Sequence, residues 1–284
     1  DEVVVVDDLS TGRLANLAGV GAELVKGSIL DAGLLDEVVP GAGAIIPLAA
    51  RPSVPRSLED PMASHEANAT GTMRVLEAAR RHDRPQVVVA SSSSVYGANP
   101  ELPKREDMVA MPVSPYAVSK LAAESYALAY QHSFGVPVLA FRFFNVFGPL
   151  QPAGHAYAAV VPTFVSCALT GRPLPIHGDG SQTRDFTFVD TVVAVLAEAI
   201  RRRVTDPEPV NLAFGSRSSL LELITALEEA VGHPLHRDHL EPRAGDVHDS
   251  QADRTRLGRL FPEVRPTPLP EGLRATLAWF RESR

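Results

Sequence analysis

A lone cysteine, Cys167, stands in a chain of 284 residues. It leaves no partner for an intramolecular disulfide, so the fold must rest on its core, as in reducing compartments such as the cytoplasm. Long apolar runs are missing too. No stretch approaches the roughly 18 residues of a membrane helix, and the first residues lack the three regions of a secretory leader. Basic excess is also absent. The net charge of -7 is the wrong sign for a phosphate-binding surface, so no nucleic-acid partner is expected, and the lack of a long apolar run leaves no membrane partner expected either. His155 and His177 fall in loop-like segments far from other ligand types, and no metal site is assigned. What remains, 45% hydrophobic and 21% charged residues, is the composition of a soluble globular protein. Its length suffices for one large α/β domain or two unequal ones.

Short valine-rich runs read as strands covered on both faces: Val3 to Val6, Ala44 to Leu48, Val87 to Ala90, Val136 to Phe144 and Val210 to Phe214. Between them Pro61 to His82, Ser114 to Phe134 and Thr191 to Arg202 have helical spacing. Strand and helix alternating in this way predict an α/β fold with a doubly wound parallel sheet. Residues 1–147 form its main domain, with 185–212 returning to it. Residues 148–284, richer in proline and glycine at first and then in helices and loops, form a smaller region where sheet ligands bind. The segment Ala117 to Gln131 is apolar on nearly all sides and needs a second cover, which predicts a homodimer. Cys167 reads as a small core residue in a helix, and Arg201 to Arg203 as a solvated helix end.

One further absence points to function. The opening Val-Val-Val-Val-Asp7-Asp8 looks like the second strand of a dinucleotide-binding unit, whose acid meets the adenosine ribose roughly 20 residues after a glycine-rich turn. No such turn is in the sequence, and the expectation is that roughly 25 residues precede it in the intact unit. Without that turn a pyrophosphate loses its main cradle.

Tyr116 and Lys120 are one turn apart on a predicted helix. A tyrosine titrates near 10, and a neighbouring ammonium favours its phenolate, which would suit it to act as a base. Upstream, Val87-Val-Val-Ala-Ser91-Ser92-Ser93-Ser94-Val95-Tyr96-Gly97 is a strand entering a serine-rich turn. Hydroxyls at the C-terminal end of a strand sit where ligands of such sheets bind.

With these motifs the chain resembles the extended short-chain dehydrogenase/reductases that act on nucleotide sugars. The likeness runs through SSSSVYG, SPYAVSK, RFFNVFGP, GDGSQTRDFTFVDT and RAGDVHDSQAD. It implies a Rossmann-like fold that binds NAD. It also implies Tyr116 as catalytic base, Lys120 as its partner and ribose ligand, and Ser92 as the assisting hydroxyl. Asp7, Asp8, Leu48, Ala49, Ala50 and Asn68 join Tyr116 and Lys120 at the cofactor. Ser93, Asn145, Arg184, Arg243, Asp246 and Ser250 match positions around the sugar nucleotide, with the two arginines on its diphosphate.

By the same resemblance the reaction starts with proton loss from the sugar O4 and formation of a 4-keto sugar. Relatives that then expel water, or lose carbon dioxide, have acids where Ser93 and Ser94 stand here. The implied reaction is therefore 4-epimerisation of a UDP-sugar, either UDP-GlcNAc/UDP-GalNAc or UDP-Glc/UDP-Gal. UDP-glucuronate is a further option. A 4,6-dehydratase and a non-catalytic sugar-nucleotide binder are the alternatives. Ser250 is small at a place where a bulky side chain would exclude an N-acetyl group. Ser28, Pro47 and the Arg51-Pro52 pair depart from the family pattern, all on the cofactor side.

Overall fold

The opening valines form β1 (Val3–Asp7), which pairs in parallel with β2 (Ala22–Lys26), Val3 opposite Ala22 and Asp7 opposite Lys26. The computed structural model describes residues 2–153, 158–241 and 248–283. Val3 and Val4 are 48% and 46% exposed, against the expectation that every strand is covered on both faces. β1 and β2 pair as a two-stranded sheet.

Next come α1 (Ala32–Val38), β3 (Ala44–Ile45), α2 (Val54–Glu59) and α3 (Pro61–His65). Asp31, Ser53 and Asp60 cap the three helices by accepting from backbone N–H groups of the first turn. A π turn at Glu66–Thr70 continues α3 into α4 (Gly71–Arg81). The predicted helix Pro61 to His82 is therefore helical throughout but widened by one turn. β4 (Gln86–Ser92) leads into a short 3-10 turn, Ser93–Tyr96. α5 (Pro115–Phe134) starts with the Ser114 hydroxyl accepting from the Ala117 N–H and proline at its first position. It stops at Gly135, whose φ of 66° is the left-handed conformation that glycine adopts without strain. β5 (Val138–Phe143) follows.

The remainder comprises β6 (Asn145–Phe147), α6 (Val160–Thr170), β7 (Leu174–His177), β8 (Thr183–Arg184), β9 (Phe186–Phe188) and α7 (Val189–Arg201). After them lie β10 (Val210–Leu212), β11 (Ser218–Ser219), α8 (Leu220–Val231), β12 (Arg237–Leu240), α9 (Thr255–Leu260) and α10 (Leu269–Glu282). The largest sheet is ordered β10-β5-β4-β3, with β3 and β4 parallel.

The chain divides into two compact units. The first takes in Asp1–Val95, Pro112–Arg142 and Ala199–Val210. Leu35, Val75, Leu76, Val87, Val89, Ala127 and Val138 are buried together in it. The second takes in Tyr96–Met111, Phe143–Glu198 and Asn211–Arg284. Phe147, Phe164, Ile176, Phe188, Leu223 and Leu277 lie in its core. Cys167 is buried there on α6, and Arg201 is exposed at the end of α7.

Candidate active site

In the first unit the end of β4 is tied to one stripe of α5. Lys120 Nζ donates to the Ala90 carbonyl at 2.8 Å, and the side chain is buried. An ammonium has three donors, so two remain for ligand oxygens. Burial pushes the Lys120 ammonium down from 10.5 to about 8. Tyr116, one turn earlier and half-buried, hydrogen-bonds Ser92. Burial raises its phenol above the ordinary value, and the Ser92 bond pulls it only part of the way back. The expected net lowering of Tyr116 by Lys120 is therefore not found, because desolvation is the larger effect and acts against both charged forms.

Ser92 is oriented by its neighbour. Its Oγ accepts from the Ser94 N–H at 3.2 Å and from the Ser94 hydroxyl at 2.9 Å. With its lone pairs engaged, its own proton is directed to Tyr116. Ser93 is half-buried in the same turn. Ser94 was singled out in the sequence only for being no acid, and the structure gives it this orienting contact. Two groups escaped the sequence reading altogether. Ser91 Oγ donates to Glu124 Oε2 at 2.7 Å, and Arg142 forks onto the same carboxylate, Nε to Oε2 at 3.0 Å and Nη2 to Oε1 at 2.8 Å. The signal was an arginine inside the apolar run Leu-Ala-Phe-Arg142-Phe-Phe, since a charge in a buried strand requires a counter-charge.

Asn68, buried on the π turn, grips another segment. Its Oδ1 accepts from the Arg51 N–H at 2.8 Å, while its Nδ2 donates to the Arg51 carbonyl at 3.2 Å and to Ser119 Oγ at 2.9 Å. The amide thus fastens the stretch after β3 to α5. Within that stretch Leu48 and Ala49 are exposed and Ala50 is half-buried. At the end of β1, Asp7 Oδ1 accepts from the Leu9 N–H at 2.7 Å. A β-carbon on Gly12 would stand 2.7 Å from the other Asp7 oxygen, so only glycine leaves that oxygen approachable. Asp8 is exposed, and its bonds from Ser10 hold its carboxyl below the usual range.

In the second unit, Arg184 lies at the end of β8, half-buried, its Nη1 donating to the carbonyls of Thr183 at 2.9 Å and His248 at 3.0 Å. The Ser250 N–H donates to the Thr183 carbonyl at 3.1 Å, which brings Ser250 beside the same strand. Asp185 next to Arg184 is fully buried and accepts from the Gly215 and Ala252 N–H groups and the Ser216 hydroxyl. Burial nonetheless pushes its carboxyl up. Its backbone carbonyl accepts from the Asn145 N–H at 3.2 Å, where β6 runs parallel to β9. Asn145, Arg184 and Ser250 are therefore on neighbouring segments. Arg243, Asp246 and His155 lie outside the described residues.

Residues 1–213 match the NAD dependent epimerase/dehydratase family. The chain belongs to that family. It is 40% identical to the UDP-glucose 4-epimerase of Mycolicibacterium smegmatis, over 98% of this chain and 90% of the relative. Two solved structures are close in fold. The UDP-N-acetylglucosamine 4-epimerase from Methanobrevibacter ruminantium M1, in complex with UDP-N-acetylmuramic acid, has a TM-score of 0.94 at 30% identity, covering 100% of this chain and 91% of that one. UDP-glucose 4-epimerase from Thermotoga maritima, with UDP-glucose, has a TM-score of 0.93 at 30% identity, covering 99% and 91%. The α/β fold with Rossmann-like character is thereby established. The family match takes in Ser92, Tyr116, Lys120, Asn145 and Arg184, while Ser250 lies beyond it. Among the described residues no helix is long and apolar enough to cross a membrane.

Proposed function

We propose that this protein is an NAD-dependent 4-epimerase of UDP-sugars, acting through a transient 4-keto sugar. The observation that carries the reading is the set Ser94–Ser92–Tyr116 beside Lys120, which can manage one proton at one oxygen. Tyr116 accepts the sugar O4 proton and Ser92 donates to the same oxygen. Lys120 keeps two N–H donors for ribose hydroxyls, and its charge favours the tyrosinate. Expelling water would require a second acid and base, and the two positions after Ser92 are Ser93 and Ser94, the latter engaged with Ser92.

Asp7 at the end of β1 and Lys120 on α5 suit the two riboses of NAD: an approachable carboxylate oxygen at one, spare ammonium donors at the other. Bound NAD supplies a reversible two-electron acceptor. Asp8, Leu48, Ala49, Ala50 and Asn68 complete the cofactor set by resemblance. Asn68 serves through its hold on Arg51. By the same resemblance Asn145, Arg184, Arg243, Asp246, Ser93 and Ser250 are assigned to the sugar nucleotide. A guanidinium fork suits a diphosphate, and a diphosphate held fast while the sugar turns is what reversal at C4 needs. The small Ser250 admits both plain and N-acetylated hexoses. Chromatography of UDP-glucose or UDP-GlcNAc incubated with protein and NAD tests the reading. It stands if the C4 epimer forms and falls if neither sugar nucleotide changes.

We infer a homodimer as well. α5 exposes Val118, Tyr126 and Phe134, and α2 and α3, packed on it, expose Leu58 and Met62. Light scattering on a sizing column should return twice the subunit mass; a monomer at micromolar concentration contradicts the inference. The buried free thiol of Cys167 supports a reducing, cytoplasmic setting.

A further inference from the structure

Ser92 is the last residue of β4 and the 3-10 turn begins directly after it, so the sheet holds the chain on one side only of the residue whose hydroxyl matters most. Side-chain contacts with α5 fix it further. Lys120 takes the Ala90 carbonyl and Glu124 takes the Ser91 hydroxyl, while the Ser92 hydroxyl next along lies near enough to Tyr116 to favour its phenolate. Tyr116, Lys120 and Glu124 follow one another at single-turn intervals along one face of α5. Successive residues of the strand end are thus fastened to one stripe of the helix.

The Glu124 bond differs from the other two in ending on a buried ion pair. The Arg142 and Glu124 side chains are 5% and 4% exposed and 2.8 Å apart. Glu124 Oε2 serves Ser91 and Arg142 Nε together, and Oε1 serves Arg142 Nη2. Arg142 comes from β5, the neighbour of β4 in the sheet, so one carboxylate joins two strands to the helix. Burying such a pair costs desolvation, and well-packed apolar residues of like volume often serve stability as well or better. What a fork on a carboxylate adds is direction, because both oxygens are fixed relative to the guanidinium plane. The pair is neutral overall, so it acts on Lys120, one turn away, by placement more than by field.

We propose that Glu124, aligned by Arg142, is a positioning residue: through Ser91 it sets the end of β4 so that the Ser92 hydroxyl stays on Tyr116. The consequence for catalysis rests on the reading of Tyr116 as the base, but the placement itself does not.

The test is ¹³Cζ-tyrosine NMR on the whole unliganded chain, which has five tyrosines. The Tyr116 signal is identified by its loss in Tyr116→Phe. In Ser91→Ala, where the ion pair stays intact, the Tyr116 titration moves upward by about half a unit or more as the Ser92 bond loosens, while the other signals hold. Glu124→Gln gives the same shift or larger. If leaving Arg142 without its counter-charge prevents folding of that variant, the Ser91→Ala result decides alone. An unmoved Tyr116 titration in folded Ser91→Ala overturns the proposal, even if thermal stability drops. Turnover is then read separately: kcat of Ser91→Ala falls roughly tenfold with KM little changed. A shifted titration in a chain that forms no C4 epimer would retain the positioning role and defeat the epimerase reading instead.

Discussion

The polar groups at the end of β4 and those around β8 are both held by short hydrogen bonds, yet they are held in opposite ways. At β4 the functional side chains themselves are buried and engaged: Lys120 on a carbonyl, Ser92 on Ser94 and Tyr116, Ser91 on Glu124. Around β8 it is the backbone that is fastened, by the buried Asp185 carboxylate and by the Thr183 carbonyl, while Arg184 stays half-exposed. Burial at β4 shifts both acidities, Lys120 down and Tyr116 up. Holding a doubly charged diphosphate requires cations at the surface of a firm backbone, and burial there would only add a desolvation cost. On the proposed reading the two regions serve chemistry and anchorage respectively.

That contrast breaks first at Tyr116. Tyr116→Phe should lower kcat by about 10²- to 10⁴-fold while UDP-sugar affinity, read by calorimetry, stays within a few-fold. An equal loss in affinity would mean that the stripe on α5 anchors as well as reacts. Arg184→Ala should do the reverse. Its affinity loss, worth about 1.5–3 kcal/mol for a charge-assisted bond, is about 10- to 100-fold, and kcat changes less. A kcat loss with unchanged affinity would place β8 in the chemistry.

Lys120 sharpens the electrostatic half. Its ammonium titrates near 8 when folded against 10.5 when free, so between those values the unfolded chain binds more protons. Folding stability should therefore climb as pH rises from about 8, the burden of the buried charge being fully present below that value. Lys120→Met should lack this slope. Urea midpoints of both proteins from pH 7 to about 9.5, before tyrosines titrate, check the difference; parallel curves would mean that Lys120 stays solvated.

The smallest effect expected lies in the core of the second unit. A β-carbon on Gly272 of α10 would come within 2.8 Å of both Phe147 and Phe188. Gly to Ala in a helix ordinarily gains about 1 kcal/mol. Here overpacking should outweigh that, with a net loss of about 1–2 kcal/mol in denaturant unfolding and no change in KM.

Much of this was legible in the sequence because it is local. Unalternating valine runs located β1, β4 and β5, and Ser114, Pro115 and Gly135 bracket α5 almost to the residue. Tyr116 and Lys120 needed only helical spacing to be set together. β2 was missed because Ala-Glu-Leu-Val-Lys offers no run and only a weak alternation. The π turn was missed because no local signal marks it; Asn68 within it reaches back to Arg51 and across to Ser119. Glu124 went unnoticed because its partners come from two strands, and nothing within one turn announces them. The acidity of Tyr116 went astray for a related reason. Spacing reports the neighbouring lysine but not the burial that outweighs it.

The central claim is that the β4–α5 cluster supports reversal at C4 and nothing further. It is tested most directly by following, in the presence of NAD, the proton NMR spectra of two parallel incubations that start from the two C4 epimers of one UDP-hexose. The account predicts that both converge on the same mixture of epimers with no other sugar accumulating. Build-up of a 4-keto-6-deoxy product, or spectra that never change although both nucleotides bind, would contradict it.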